Sequence, residues 1–450
     1  LNDLKNNNIL MLRFDCYKDR AIIMLKNQVL WSTLVDNVPH FPQLQTDINT
    51  DVCIIGGGFT GLSAAIHLAE AGHRVVVVES LEVGSGGSGR NVGLVNAGTW
   101  AQPDELNKYL GEKVGEKLTT ALGHAPQLVF DTIDRLGIQA QDTRTGNLHM
   151  AHNSEGEADI DHRYLQLSRR GANVEVLTGA KCHEYCGTKV VQKALLDKRA
   201  GTINPYAYVT GLAQAAKRLN VEIYENSSVN EIVKSDSQWC VKTTSGSITA
   251  DKVVLATNAY TQGEWTEILK TIYFVKYYQI ASEPLTGSIA DKILPYKNGS
   301  WDTRLALSSI RRDKENRLLL GTVGGHEGKE SIYHSWADLI TQKYFPELGK
   351  LKWQYQWTGK FGFTTDHIMR IFEPAPGIVA ATAFNGRGIT TGTLMGKAFA
   401  QYLQDDDREN LPLPFSDLES SKVSFRNARA MFYDCGITLY HAGQCLRIIS

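Results

Sequence analysis

Three glycines and a glutamate carry the first chemical signal. Gly56, Gly58 and Gly61 stand in "GGGFTG", with Phe59 and Thr60 between the last two, and Glu79 follows Gly61 by 18 residues. That spacing suits a pyrophosphate. The first glycine permits a tight turn, the second lets phosphate oxygens approach the backbone, and the third allows a helix to pack closely on a strand. A helix opening at this turn offers unpaired N–H groups and a partial positive charge to the phosphates. Glu79, followed by Ser80, can accept hydrogen bonds from both ribose hydroxyls and repels a 2′-phosphate, which argues against NADP. NAD and FAD both remain open on these residues.

The elements that must hold the turn are legible on either side of it. Residues 51–55 and 74–78 are short apolar runs without alternation, as strands buried on both faces of a parallel sheet require. Between them Leu62, Ala65, Ile66 and Ala69 recur at helical spacing, and Gly72 ends the helix. The unit is βαβ.

Three further segments favour FAD over NAD. "GSGGSGRNVG" (84–93) prolongs the glycine and serine richness, and small residues let the chain lie against a bulky ligand. Within it Ser85, Ser88, Gly89, Arg90 and Asn91 are candidates to meet pyrophosphate, ribityl or flavin edge. A helix is predicted over 205–219, followed by strand-like pieces near 221–224, 228–233 (with Val229), 239–244 and 247–256, the last leading into Thr257 and Asn258. Residues 377–403 again read as strand, glycine loop and helix, with Gly386, Arg387, Gly388, Ile389 and Thr390 at the junction. A helix start facing a flavin pyrimidine ring would stabilise negative charge on the reduced ring.

With these motifs in view, the chain resembles the glycine oxidase and D-amino-acid oxidase superfamily of FAD enzymes, most like its gamma-glutamylputrescine oxidase branch. The motifs carrying the resemblance are "DVCIIGGGFTGLSAAIHLAEAG", "GSGGSGRNVG", "VVLATNAY", "WTGKFGFTTD" and "FNGRGITTGTLMGKAFAQYL". It implies an α/β, glycine-oxidase-like fold, with a Rossmann-type FAD-binding domain assembled from discontinuous segments plus a mixed-sheet substrate domain. The expected FAD-binding parts are 46–110, 200–262 and 358–410, and the substrate parts 111–199 and 263–357. An N-terminal extension (1–45) and a C-terminal strap and helix (411–450) complete the chain.

Departures from the superfamily shape the expected chemistry. Covalent branches carry a histidine in the loop that here reads "GRNVG", or a cysteine before "TTD"; this chain has Asn91 and no cysteine between 241 and 434, so FAD is expected to be bound non-covalently. Glycine oxidases place a carboxylate-clamping arginine five residues before the aspartate of "TTD", where this chain has Phe361. Loss of a bidentate partner disfavours a free α-carboxylate. The reading tilts toward amines, with Arg304, Arg311 or Arg312 as substitutes from another strand. The oxygen-activating lysine of sarcosine oxidases has no counterpart in "RLLLGT" (317–322), although Lys360 could serve. Otherwise a quinone or protein would take the electrons.

On the substrate side, Tyr277, Trp301 and Trp357 are candidates for an aromatic wall that excludes water and holds an amine by cation–π attraction, though aromatics at strand spacing also build cores. His326 could face the flavin or sit in an ordinary loop. No acid or base is obligatory, because the cofactor carries the electrons and the protein supplies orientation and electrostatics.

Composition sets the outer bounds. At 450 residues the chain exceeds a single core, and with 42% hydrophobic residues, 21% charged and a formal net charge of −1, nothing favours nucleic acid or an anionic membrane. Seven cysteines without repeated spacing make a poor disulfide framework. Cys182 and Cys186 flank His183, but no second pair at zinc spacing accompanies them. No apolar run reaches the 18 or so residues of a membrane helix, and the first 20 residues lack a secretory pattern, so a cytoplasmic protein is expected, with a poorly ordered segment before Met11 or Met24. A last helix is predicted over 422–446.

The leading expectation is an FAD-dependent enzyme oxidising a small-molecule primary or secondary amine, with oxygen or a quinone as electron acceptor. One alternative is a D-amino-acid or imino-acid dehydrogenase coupled to a quinone. Another is a flavoprotein maturation factor acting on an amine of a protein partner.

Overall fold

Valine-rich runs with no polar face belong at the centre of a sheet, and Val75–Val78, buried throughout, lies there beside Ile48–Ile55. The structure is a computed structural model describing residues 28–261, 263–446 and 448; the segment before Met24 lies outside them.

Among the described residues two sheets of eight strands each dominate. The first runs in the order Arg370–Ala375, Ile378–Thr382, Ser247–Leu255, Ile48–Ile55, Val75–Val78, Glu222–Tyr224. Its middle pairs are parallel, while a hairpin, Val229–Ser235 and Gln238–Thr243, adds to Ser247–Leu255 antiparallel. The sheet is thus gathered from three distant stretches of chain. Helices Phe59–Glu70, Pro205–Arg218 and Gly388–Asp405 bury their apolar faces in one continuous core with it.

Two of these helices cross at unusually close range. A Cβ on Gly396 would lie 2.5 Å from both the Ser63 Cβ and the Thr60 carbonyl oxygen, so only glycine allows the approach. The Ser63 hydroxyl donates to the Thr393 carbonyl oxygen at 2.8 Å across the contact. Close packing of the pair sets Phe59–Glu70 and Gly388–Asp405 side by side.

The second sheet is mixed, in the order Trp353–Phe363, Tyr273–Pro284, Arg317–Val323, Ser308–Arg312, Gly299–Asp302, Asn147–Met150, Lys193–Asp197, Val174–Thr178. Helix Glu330–Tyr344 packs on the face that carries Tyr278 and Ile280. The opposite face, carrying Tyr277, Gln279 and Ser309, turns toward the first sheet.

Two expectations about the ends change. Within the assigned extension 1–45, Leu30–Thr33 forms a short helix whose Leu30 and Trp31 are buried. The predicted helix over 422–446 is interrupted: Arg426–Met431 passes through a π turn at Phe432–Gly436 before Ile437–Cys445, and the Thr438 hydroxyl donates to the Asp434 carbonyl oxygen there at 2.6 Å.

Between the sheets the loop 84–93 is held by its own carbonyl groups. Arg90 O accepts from Gln279 Nε2 (2.6 Å) and Trp357 Nε1 (3.0 Å), and Asn91 O accepts from Trp31 Nε1 (2.8 Å). Arg311 Nη1 donates to the carbonyl oxygens of Val92 (2.8 Å), Gly93 (3.1 Å) and Ile203 (2.9 Å). Its guanidinium lies 5.0 Å from the Trp31 ring centroid. Burial pushes the Arg311 pKa down to about 10, so the group stays charged at neutral pH. The Gly93 carbonyl oxygen keeps the Ile203 N–H (2.8 Å), but without the guanidinium the Val92 and Ile203 carbonyl oxygens lose a buried donor, at about 1–3 kcal/mol each. Arg311→Met is therefore expected to lower unfolding free energy by about 3 kcal/mol or more, read from urea denaturation.

Candidate active site

A cleft of about 330 Å³ runs between the two sheets. At one end it is walled by Gly56–Thr60, Glu79, Ser80 and residues 227–232; along its middle by residues 84–88, Arg90 and Tyr260; at the other end by Tyr277, Trp301, Leu307, Val323, Phe361 and Phe363. Gly386, Gly388 and Ile389 close the aromatic end.

The glycine turn is shaped by contacts no larger residue could make. Gly56 takes φ +112°, and a Cβ on Gly61 would lie 2.0 Å from the Gly56 carbonyl oxygen. Glu79 closes the turn from the sheet: its Oε2 accepts from the Gly57 N–H at 2.8 Å, and its Oε1 from the Leu81 N–H at 3.1 Å. Ser88 Oγ accepts from the Phe59 N–H at 3.1 Å, tying the second glycine loop to the helix start. Nearby, the Tyr260 ring lies 3.6 Å from where a Gly87 Cβ would stand. Bare backbone therefore lines the cleft from the first turn to the second loop, and a long dinucleotide fits such a wall.

Most residues expected to meet a cofactor do line the cleft: Gly56, Gly58, Phe59, Thr60, Glu79, Ser80, Ser88, Arg90, Asn91, Val229, Thr257, Asn258, Gly386, Gly388 and Ile389. Several spend their side chains on the protein itself. The Asn91 amide donates to the carbonyl oxygens of Gly87 (3.0 Å) and Ser88 (2.8 Å), and its Oδ1 accepts from the Gly93 N–H at 2.9 Å. Asn258 Oδ1 accepts from the Thr382 hydroxyl (3.0 Å) and the Ala383 N–H (3.3 Å), joining the ends of two parallel strands. Gly61, Gly89, Arg387 and Thr390 stand outside the lining. Gly61 and Gly89 serve close packing, a Cβ on Gly89 meeting the Gly84 carbonyl oxygen at 2.2 Å. Thr390 is buried, and its hydroxyl turns back to the Arg387 carbonyl oxygen at 3.4 Å. Arg387 points its guanidinium between the rings of Trp100 and Trp301, 4.8 and 5.2 Å from their centroids.

Of the expected substrate residues, Tyr277, Trp301 and Phe361 come together on the cleft, the rings of Tyr277 and Phe361 being 6.4 Å apart. Trp357 and His326 do not. Trp357 shares a strand face with Phe361 but lies four residues, about 13 Å, further along, where its indole is spent on Arg90 O and packs on Trp31. His326 is behind the sheet: it contacts Tyr278 (5.1 Å between centroids) and Thr358 Oγ1 (2.6 Å), which point away from Tyr277. The three candidate clamps are also engaged elsewhere. Arg304 pairs with Asp302 and donates to the Tyr344 hydroxyl, Arg311 holds the loop, and Arg312 donates to Asn316 Oδ1 and the Leu294 carbonyl oxygen.

The cations lining the cleft are Arg90 and Lys360. Arg90 Nε is bound to the Ser85 carbonyl oxygen at 2.8 Å. Lys360 Nζ lies 4.7 and 4.6 Å from the ring centroids of Tyr260 and Phe274, and burial lowers its pKa below the usual lysine range. Trp100, Tyr260 and Gln279 are wall residues that sequence reasoning missed, although Tyr260 ends the quoted motif "VVLATNAY". Cys182 and Cys186 lie apart from the cleft, their sulfurs 3.9 Å from each other, and among the described residues no group of three or more His, Cys, Asp or Glu could hold a metal.

A family model described as DAO, FAD dependent oxidoreductase, matches residues 51–402. The chain belongs to this family. FAD is its cofactor, and neither histidine nor cysteine is among the residues lining the cleft, in keeping with non-covalent binding. The probable oxidoreductase OrdL of Haemophilus influenzae is 31% identical over 82% of this chain and 86% of its own. The gamma-glutamylputrescine oxidoreductase of Escherichia coli is 30% identical over 87% and 94%. Glycine oxidase from Geobacillus kaustophilus has the same fold, with a TM-score of 0.66 at 20% identity, covering 84% of this chain and 99% of that one. No helix among the described residues is long and apolar enough to cross a membrane.

If the glycine turn carries the cofactor, Gly61→Ala, whose new methyl would press on backbone that cannot step aside, yields folded protein without flavin absorbance. Visible spectra of purified wild type and variant, with circular dichroism as the control for folding, check this.

Proposed function

We propose that this FAD-dependent oxidoreductase oxidises the C–N bond of a primary or secondary amine, with gamma-glutamylated diamines and polyamines as the substrate class. The observation that carries the reading is the aromatic end of the cleft: Tyr277, Trp301, Phe361 and Phe363 wall it, and among the described residues the only arginine lining the cleft is Arg90, whose Nε is spent on the Ser85 carbonyl oxygen, while Arg387 lies behind Trp301. The similarity to gamma-glutamylputrescine oxidoreductase points the same way.

Bound FAD supplies a two-electron acceptor for hydride from the carbon bearing a neutral amine, and the resulting imine hydrolyses in water. The chain's own part is to position and to dry. Ring faces of Tyr277 and Phe361 attract a cationic amine on entry, and with Trp301 they shield the reacting carbon from solvent. Tyr277 is itself fixed, its hydroxyl donating to Ser309 Oγ at 2.8 Å. Helix Gly388–Asp405 directs its N-terminus at the same end and favours negative charge there. Lys360, with no carboxylate within 4 Å among the described residues, is the group we assign to stabilise the negative charge that dioxygen acquires when it serves as electron acceptor.

Anaerobic addition of gamma-glutamylputrescine or a polyamine is expected to bleach the flavin absorbance. Absence of bleaching with every amine, together with bleaching by D-amino acids, would replace this reading with the amino-acid dehydrogenase.

Lys360→Met is expected to slow reoxidation in air while leaving anaerobic bleaching unchanged. The sign with pH follows from burial: Lys360 is charged below its lowered pKa and loses charge earlier than an ordinary lysine. The wild-type advantage in reoxidation should therefore fade as pH rises through that value, as stopped-flow absorbance would record.

A further inference from the structure

Behind the aromatic wall lies a second cavity of about 370 Å³ whose lining is rich in positive charge. Four guanidiniums reach it, from Arg163, Arg170, Arg199 and Arg387, against two carboxylates, Glu116 and Asp197. Those carboxylates are engaged: Glu116 pairs with Arg170 at 2.5 Å, and Asp197 with Arg199 at 2.7 Å. Two cations are left poorly compensated. Arg163 faces Asp159 only at 3.7 Å, and Arg387, 8% exposed, has no carboxylate within 4 Å among the described residues. Burial, with each cation repelling the other, holds Arg387 down to about 9.

The polar atoms around the cavity are unsatisfied to a degree rare in a protein interior. Arg163 Nε, Arg387 Nε, His149 Nδ1, Trp301 Nε1 and the Thr119 hydroxyl all belong to lining residues, and each is buried without a hydrogen-bond partner. Four of these five groups are nitrogens, three of them permanent N–H donors, and two sit on guanidiniums. Buried positive charge in excess of its carboxylate partners, with orphaned donors beside it, is the signature of a site for an anion.

The cavity is separated from the flavin cleft by a stack of side chains. The rings of His149 and Trp301 stack 5.2 Å apart, and the Arg387 guanidinium lies between Trp301 and Trp100. Trp100 and Trp301 line both spaces. The outer side of the cavity is bordered by His124 and Gly171, both exposed.

We propose that this chamber binds a small carboxylate, held by Arg163 and Arg387 directly behind the wall of the flavin cleft. The chamber goes beyond the amine reading, since binding there requires no turnover. One chemistry, a carboxylate, could arrive from two sources: the far end of the amine substrate, or a separate small acid.

Isothermal titration calorimetry of the FAD-loaded enzyme with acetate, glutarate and the neutral control acetamide tests the site. Saturable binding of acetate or glutarate but not acetamide is expected, weakened on the order of tenfold in Arg163→Gln and largely retained in Arg163→Lys. Thr119→Glu, which supplies the chamber with its own carboxylate, should abolish binding, so the test stands even where Arg163→Gln fails to fold. Absence of saturable carboxylate binding to the wild type, or unchanged affinity in both Arg163→Gln and Thr119→Glu, overturns the proposal.

Turnover separates the sources. A KM rise in Arg163→Gln confined to a carboxylate-bearing amine, with competitive inhibition by glutarate, assigns the chamber to the substrate's far end. Unchanged KM, with acetate acting non-competitively, assigns it to a separate acid. Should no amine be oxidised while carboxylate binding persists, the amine reading fails and the chamber remains.

Discussion

The close crossing of helices Phe59–Glu70 and Gly388–Asp405 is the constraint on which the cleft depends. Gly396 lets the second helix rest on Thr60 and Ser63 with no side chain between them. A wider separation would part the glycine turn from the loop at Gly386, and the two would no longer border one cleft. Because the first helix is tied to its strand at Gly61 and the second follows strand Ile378–Thr382, the parallel sheet and the helix pair determine each other. An elongated ligand with phosphate at one end and an aromatic ring at the other needs both helix starts held in one frame.

The second glycine loop is organised by a different principle. Its carbonyl groups, from Arg90 to Gly93, are each taken by a buried donor: two indoles, an amide and a guanidinium. These donors come from the N-terminal segment and from the second sheet, so the loop is also the seam between the two sheets. The Asn91 side chain completes the arrangement, its hydrogen bonds all staying within the loop. Polar groups that the sequence offers to a ligand thus serve as scaffold, while the backbone faces the cleft.

Legibility in the sequence followed the range of the interactions. The βαβ unit, Glu79 and the last glycine-to-helix junction were readable because their reasons are local: turn conformation, helical spacing and strand burial. The loop donors were not, since Trp31, Gln279, Arg311 and Trp357 act across 60, 189, 219 and 267 residues respectively. Trp357 and His326 fall away from the cleft for a related reason. An aromatic residue in a strand announces burial, but the face and the distance along the strand depend on register, which is set by partners elsewhere in the chain. Arg387 shows the limit most sharply, because it adjoins two glycines at the helix start and yet turns its charge into the neighbouring cavity.

The order of the strands also has a consequence for biogenesis. The glycine turn leaves the ribosome well before the strand Ile378–Thr382 and the helix after it, which complete that side of the sheet and the far end of the cleft. A nascent chain therefore carries the phosphate-binding turn long before it can enclose a ring. Enclosure of the cofactor waits for that later segment, and until it arrives the edge of Val253–Leu255, lacking its second parallel neighbour, is the surface a chaperone would have to shield.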